Sequence, residues 1–167
     1  MGNRHSWNSE VEVCKFVGIL SSMIKAKNIL EIGVFEGETA KEIILNKDKS
    51  ANYFGIDIAD YRTEEVKELF EKNRADLIFG KSIDVLRNFS PQKFDLVFID
   101  GDHSWENVLP EFKAVERVLA ANGTIVYHDA IHMEAPRKIT SYAKFYGYNV
   151  VFLKTPEGRG ISIINKL

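Results

Sequence analysis

Two stretches of the chain concentrate the residue types that move protons and hold cations. Ile99-Asp100-Gly101-Asp102-His103-Ser104-Trp105 and Tyr127-His128-Asp129-Ala130-Ile131-His132 together carry three of the four histidines and three acids. Carboxylate beside imidazole suits a divalent metal or general acid–base chemistry. Each stretch follows an apolar run that reads as a strand, so the groups gather beyond the ends of two neighbouring strands. A purely structural domain has little use for titratable groups there, whereas a site does.

A second constellation lies nearer the amino terminus. Glu31-Ile-Gly33-Val34-Phe35-Glu-Gly37-Glu-Thr39 leaves an apolar run and enters a helical pattern. The first glycine permits a tight turn, and the second lets a ligand approach the backbone amides at the helix start. The dinucleotide fingerprint needs a glycine where Phe35 stands, to admit a pyrophosphate. The loop therefore suits a nucleotide-like ligand without one. Asp57, 24 residues after Gly33, ends the next strand, the place where a carboxylate accepts ribose hydroxyls.

Alternating strands and helices must position these groups. Val13, Phe16, Val17, Leu20 and Ile24 recur at helical spacing within a first helix of about residues 8–25. Strands are expected over 28–33, 53–57, 76–79, 94–100, 124–127, 149–153 and 160–165. The intervening helices carry Ala40, Ile43 and Ile44; a segment capped by Thr63; Val108 to Leu119; and a segment opened by Pro136. Pro110 belongs near the first turns of its helix. The register of Trp105 with Leu109 and Phe112 favours core packing over stacking on a ligand. Such alternation implies right-handed crossovers and a mostly parallel sheet with helices on both faces. The last two strands, joined by a short turn at Pro156-Glu-Gly158, must be antiparallel.

Composition sets the outer limits. The 167 residues carry a net charge of −2, which gives no basic field for nucleic acid. One cysteine, Cys14, excludes a disulfide framework and points to a reducing compartment. No run approaches the length of a membrane span, and Met1 to Glu10 lacks the apolar core of a signal peptide. The expectation is a single cytoplasmic domain over 1–167, with an amino-terminal helix in 1–27 and a core in 28–167. A homo-oligomer through that helix or a sheet edge is left open.

Glu31-x-Gly33-x-x-x-Gly37, Asp57, Phe98-Ile-Asp-Gly-Asp-His-Ser-Trp105 and Gly123-Thr-Ile-Val-Tyr-His-Asp129 resemble class I S-adenosylmethionine-dependent methyltransferases. The nearest likeness is to small O-methyltransferases of the catechol and macrocin groups. The resemblance implies a Rossmann-like, doubly wound α/β fold with seven strands in the order 3-2-1-4-5-7-6, strand 7 antiparallel. It also implies S-adenosyl-L-methionine as cofactor and a small-molecule hydroxyl, on a sugar or a phenol, as acceptor. By the same likeness Glu31, Gly33 and Gly37 frame the methionine moiety, with Val34, Phe35 and Thr39 on the same loop. Asp57 holds the ribose, Ile58 lies against the adenine, Ser82 lies near its amine, and Asp100 and His103 border the sulfonium. Lys81 stands where many relatives carry an acid.

Metal-dependent members hold Mg²⁺ with acids that Asp100 and Asp129 match. Ala130 replaces the asparagine of the catechol-type pattern, so Asp102 or His128 would have to complete the shell. His103, His128 and Asp129 are the catalytic candidates, with His103 the first choice of base because it follows strand four. The competing readings are a nicotinamide or nucleotide-sugar oxidoreductase, opposed by Phe35, and a methyltransferase-like module that binds cofactor or partner without catalysis. No Asn-Pro-Pro-Tyr-like segment follows strand four, which argues against a nucleic-acid methyltransferase.

Overall fold

The computed structural model describes residues 9–166. Its elements are α1 (Val11–Met23), β1 (Asn28–Ile32), α2 (Glu38–Asn46), β2 (Asn52–Asp57), α3 (Glu64–Lys72), β3 (Ala75–Phe79) and α4 (Ser82–Leu86), then β4 (Phe94–Ile99), α5 (Trp105–Val118), β5 (Leu119–Tyr127), α6 (Glu134–Phe145), β6 (Asn149–Leu153) and β7 (Ile161–Asn165). The strands form one sheet in the order β3-β2-β1-β4-β5-β7-β6. β7 is antiparallel to both β5 and β6, and the other pairs are parallel. The expected topology and the reversed final strand both stand. Residue 8, where the first helix was expected to begin, lies outside the described residues.

Side chains alternate across each strand, and that alternation splits the core in two. Ile29 of β1 with Leu96 and Phe98 of β4 meets Val13, Val17, Ile43, Val66 and Phe70 from α1, α2 and α3. Leu30 of β1 with Val97 and Ile99 of β4 meets Leu86, Val108, Phe112, Val115 and Ile139 from α4, α5 and α6. β1 and β4 are therefore apolar on both faces, as central parallel strands must be. The chain reverses direction across the sheet between them, which puts the topological switch point at their carboxyl ends.

Two local expectations, for Leu119 and Pro136, are corrected, while Pro110 lies near the first turns of its helix as expected and one element was not foreseen. Leu119 is not helical; it opens β5 and pairs with Phe94 before the ladder shifts at a bulge to Leu96–Thr124. Its spacing from Val115 imitates one more helical turn. Pro110 sits in the second turn of α5, where its ring removes the bond to the Glu106 carbonyl, and the buried seam of Val108, Phe112 and Val115 carries the helix through it. Pro136 is the third residue of α6, not its first, and no intrahelical bond is lost because the first four amides have no partner there. α4 was not foreseen: five residues are too few to display a period. The Thr63 cap is as expected, its hydroxyl accepting the Val66 N–H.

Candidate active site

Three ladder bonds extend the sheet past its strand ends and bring the loops into register. Gly33 N–H donates to Ile56 O, Asp100 N–H to Ile32 O and His128 N–H to Ile99 O, at 2.9 to 3.0 Å. The residues singled out at the ends of β1, β4 and β5 thus stand side by side.

The cradle after β1 is shaped by backbone. Gly33 has φ +86°, and a Cβ there would lie 2.4 Å from the Asp100 carbonyl oxygen, so only glycine fits. Asp57 Oδ2 accepts the N–H groups of Val34 and Phe35, both at 2.9 Å, and Oδ1 accepts Ile58 N–H at 2.7 Å and Ala59 N–H at 3.4 Å. A carboxylate offers about four lone-pair sites, so three short bonds and one long one nearly fill it. The carboxylate is rigidly held, and it also fixes the loop, a role the sequence did not suggest. Phe35 adopts φ +48° and sets its ring 5.8 Å from that of Tyr61. Ile58 is 74% exposed beside Asp57.

Glu31 is buried and accepts the Tyr53 hydroxyl at 2.7 Å; burial outweighs that bond and pushes its carboxyl well above the usual range. Gly37, at φ +91°, caps α2, and Thr39 in its first turn is buried and donates its hydroxyl to Cys14 Sγ. Glu31, Gly33, Val34, Phe35, Thr39 and Asp100 line one narrow cleft of about 30 Å³, whose wall also includes Ser9 and Glu38. Ser82 does not line that cleft; its hydroxyl donates to Glu111.

The ends of β4 and β5 carry side-chain chemistry instead. His103 Nε2 lies 3.5 Å from Asp100 Oδ1 and 3.4 Å from Asp129 Oδ2. His128, fully buried, places Nδ1 2.8 Å from Asp100 Oδ1. Burial works to raise the Asp100 carboxyl, but hydrogen bonds from His103, His128 and Ser9 overcome it and hold the group well below the usual carboxylate range. Burial likewise works to lower His128, yet the bond to Asp100 and its charge prevail and raise the imidazole above its ordinary value. Asp129 adopts φ +55°, a conformation Asp tolerates better than most residues, and Arg159 Nε lies 3.7 Å from its Oδ1.

One ligand atom each from Asp100, His103 and Asp129 lies within 4.8 Å of the others, a set that could hold a metal ion. Asp102 and His132 do not join it. Asp102 accepts Ser104 N–H and the Asn107 side chain, tying down the start of α5, and His132 is exposed.

Trp105 is not core. It is 47% exposed. With His103, Met133 and Lys138 it lines an open groove of about 250 Å³. Sequence reasoning also missed four other residues. Ser9 donates to Asp100, Glu10 approaches His128, Arg159 approaches Asp129, and Glu111 is buried on α5. Only Glu111 left a signal, an acid in register with the apolar seam of its helix. Burial pushes its carboxyl up to about 7, against the bond from Ser82.

A family profile described as a methyltransferase domain matches residues 30–130. The chain is 26% identical over 140 residues to a caffeoyl-CoA O-methyltransferase of Pinus taeda, a match covering 77% of this chain and 53% of that one. It is 27% identical over 131 residues to the O-methyltransferase ankF of Aspergillus thermomutatus, covering 74% and 53%. The chain spans about half the length of such curated relatives. Among solved structures, a cofactor-bound Mycobacterium tuberculosis protein, Rv0187, superposes with a TM-score of 0.79 at 21% identity, covering 95% of this chain and 81% of that one. An O-methyltransferase of Streptomyces achromogenes in complex with SAM superposes with a TM-score of 0.76 at 16% identity, covering 96% and 82%. Those likenesses show the shared fold, and among the described residues no helix is long and apolar enough to cross a membrane. Sheet order, glycine cradle and profile agree: the chain belongs to the methyltransferase-domain family, among the class I S-adenosylmethionine-dependent, O-methyltransferase-like proteins.

Proposed function

We propose that the protein transfers a methyl group from S-adenosylmethionine to the hydroxyl of a small molecule, a sugar or a phenol. The observation that carries this reading is the meeting of two openings. Asp100 lines the cradle cleft, His103 lines the Trp105 groove, and the two side chains are 3.5 Å apart. A donor in the first and an acceptor in the second would adjoin at that pair.

The cradle fits the cofactor on two counts: Gly33 leaves no Cβ in the loop, and Asp57 keeps the weakest of its acceptor positions for a ribose. When bound, the cofactor supplies a methyl group activated by its sulfonium. Gly33 and the Val34 and Phe35 amides hold the loop, Ile58 offers apolar surface to the adenine, and Asp57 accepts from the ribose. His103 keeps its Nε2 hydrogen toward Asp100 and Asp129 and takes the acceptor's proton at Nδ1, which has no hydrogen-bond partner, and the two carboxylates facing Nε2 stabilise the resulting imidazolium. Trp105 and Met133 give the acceptor an apolar wall, and alignment supplies the rest of the rate.

A divalent ion fits the same cluster, since Asp129 Oδ1 is buried without a hydrogen-bond partner. Asp100, Asp129 and His103 would hold it, and two carboxylates with an imidazole suit Mn²⁺ at least as well as Mg²⁺. Bound there, it would supply Lewis-acid polarisation of the acceptor oxygen.

Thermal unfolding with S-adenosylhomocysteine, with NAD and with neither, each in Mn²⁺, Mg²⁺ or EDTA, tests this. The homocysteine product at about 100 times its Kd is expected to add roughly 2.7 kcal/mol and raise Tm by roughly 5–10 °C, with NAD inert. A shift with NAD alone overturns the reading, and no shift with either favours a non-catalytic module.

A further inference from the structure

The cradle cleft is walled almost entirely by backbone that is already tied down. Gly33 and Asp100 are bonded into the sheet through Ile56 and Ile32, the Val34 and Phe35 amides are held by Asp57, and Glu38 and Thr39 belong to the first turn of α2. Ser9 is the exception. It stands outside the sheet, one residue ahead of the Glu10 N-cap of α1, yet it lines the same cleft and its hydroxyl donates to Asp100 Oδ2. Behind it Glu10 is only 2% exposed, and its Oε1 accepts the Glu157 N–H at 2.9 Å. The segment is thus pinned at Glu10. Among the described residues, the bond to Asp100 and a loose contact of Cys14 Sγ with the Ser9 carbonyl at 3.9 Å hold it over the cleft.

Two properties of the cleft show what that bond does. Its volume of about 30 Å³ admits about two water-sized probes, far less than the charged amino-acid end of a methyl donor occupies. Its lining among the described residues includes three acids, Glu31, Glu38 and Asp100, and neither Lys nor Arg, so it suits the positive end of a ligand. We propose that Ser9 is a gate on this cleft: the donor enters by swinging the segment away about Glu10, and its ammonium takes the place on Asp100 that the Ser9 hydroxyl gives up. An ammonium bonds a carboxylate more strongly than a hydroxyl does, so the exchange favours the ligand once the gate is open. The free energy of breaking the Ser9 bond is subtracted from that of binding. The inference rests on the donor reading of the cleft and adds to it the residue that controls entry.

The test measures association and dissociation rates of S-adenosylhomocysteine on the immobilised full chain by surface plasmon resonance. A second probe, 5′-methylthioadenosine, lacks the amino-acid end. Ser9→Ala removes the hydroxyl and is expected to raise both the association rate and the affinity for the homocysteine product about three- to tenfold, the range of one net hydrogen bond. Ser9→Thr keeps a hydroxyl and is expected to stay within twofold of wild type. Methylthioadenosine is expected to bind both variants within twofold of wild type. A residue that only contacts the ligand loses affinity on truncation, and a bystander changes nothing. Either result for Ser9→Ala overturns the gate, as does a gain of the same size with methylthioadenosine or in Ser9→Thr. A wild type that does not bind the homocysteine product sinks the donor reading and the gate with it, whereas a wild type that binds it while Ser9→Ala binds no faster sinks the gate alone.

Discussion

At the ends of β1 and β2 the site is made from backbone: two amides on Asp57, a glycine pressed on a carbonyl, a loop held before any ligand arrives. At the ends of β4 and β5, a few ångströms away, it is made from side chains: two acids and two imidazoles, several of whose buried atoms have no hydrogen-bond partner. The cradle depends on shape, because a close backbone approach leaves no room for a Cβ. The transfer cluster depends on charge and proton occupancy, which side-chain substitution changes without moving the backbone. Variants in the two regions should therefore fail in different ways.

The largest expected effect is at the transfer end. His103→Ala should lower the rate of radiolabelled methyl transfer to a panel of sugar and phenol hydroxyls by about 10²–10⁴-fold, with fold and S-adenosylhomocysteine affinity kept. Full activity across pH 6 to 9 would remove His103 as the base and move the comparison toward a metal-assisted cluster. In the cradle the order of losses reverses. Gly33→Ala combines a left-handed backbone with a contact of 2.4 Å to backbone, and should cost roughly 3 kcal/mol or more and abolish binding of the homocysteine product. Its control is Gly147→Ala, which has a similar φ of +87° but nothing within 4 Å of the added carbon, and should cost only about 1 kcal/mol with binding intact. Equal losses at the two glycines in urea unfolding would show that the cradle's tightness counts for nothing.

Glu111 lies between the regions, bonded to Ser82 after β3 and coupled to Tyr127 at the end of β5. Its carboxyl ionises near 4.5 when unfolded and near 7 when folded. The folded state binds the extra proton between those values, so this group's stabilisation is full below about pH 4.5 and is lost as pH rises to about 7. At 1.36 kcal/mol per unit the loss is roughly 3 kcal/mol. Glu111→Gln does not titrate, so its stability relative to wild type should improve by about that amount between pH 4.5 and 7, measured by urea unfolding across the range. A constant difference would mean that folding leaves the Glu111 carboxyl unshifted.

Most of the fold was legible because its signals are local. β4 reads as a strand over 94–100 because a central parallel strand is apolar on both faces, and β6 and β7 read as an antiparallel pair because six or seven residues of turn cannot make a crossover. The errors have the same origin. Leu119 keeps a helical interval after the helix has ended, and Trp105 keeps one at the first residue of its helix, where the side chain lines a groove, so period alone misplaces both. Of the site, Gly33, Asp57, Asp100, His103, His128 and Asp129 could be named because each follows a readable strand. Ser9, Glu10 and Arg159 follow none.

The sequence by itself determined which segments bury which faces, where the strands end, and that glycines, acids and histidines cluster at those ends. Nearest-neighbour spacing along the chain encodes all of that. Tertiary structure alone decided that Asp57 holds the cradle loop, that Trp105 lines a groove, and that Glu10 meets a backbone amide 147 residues away. Such contacts depend on how the sheet twists and where the helices and turns around it come to rest. No local period records that geometry.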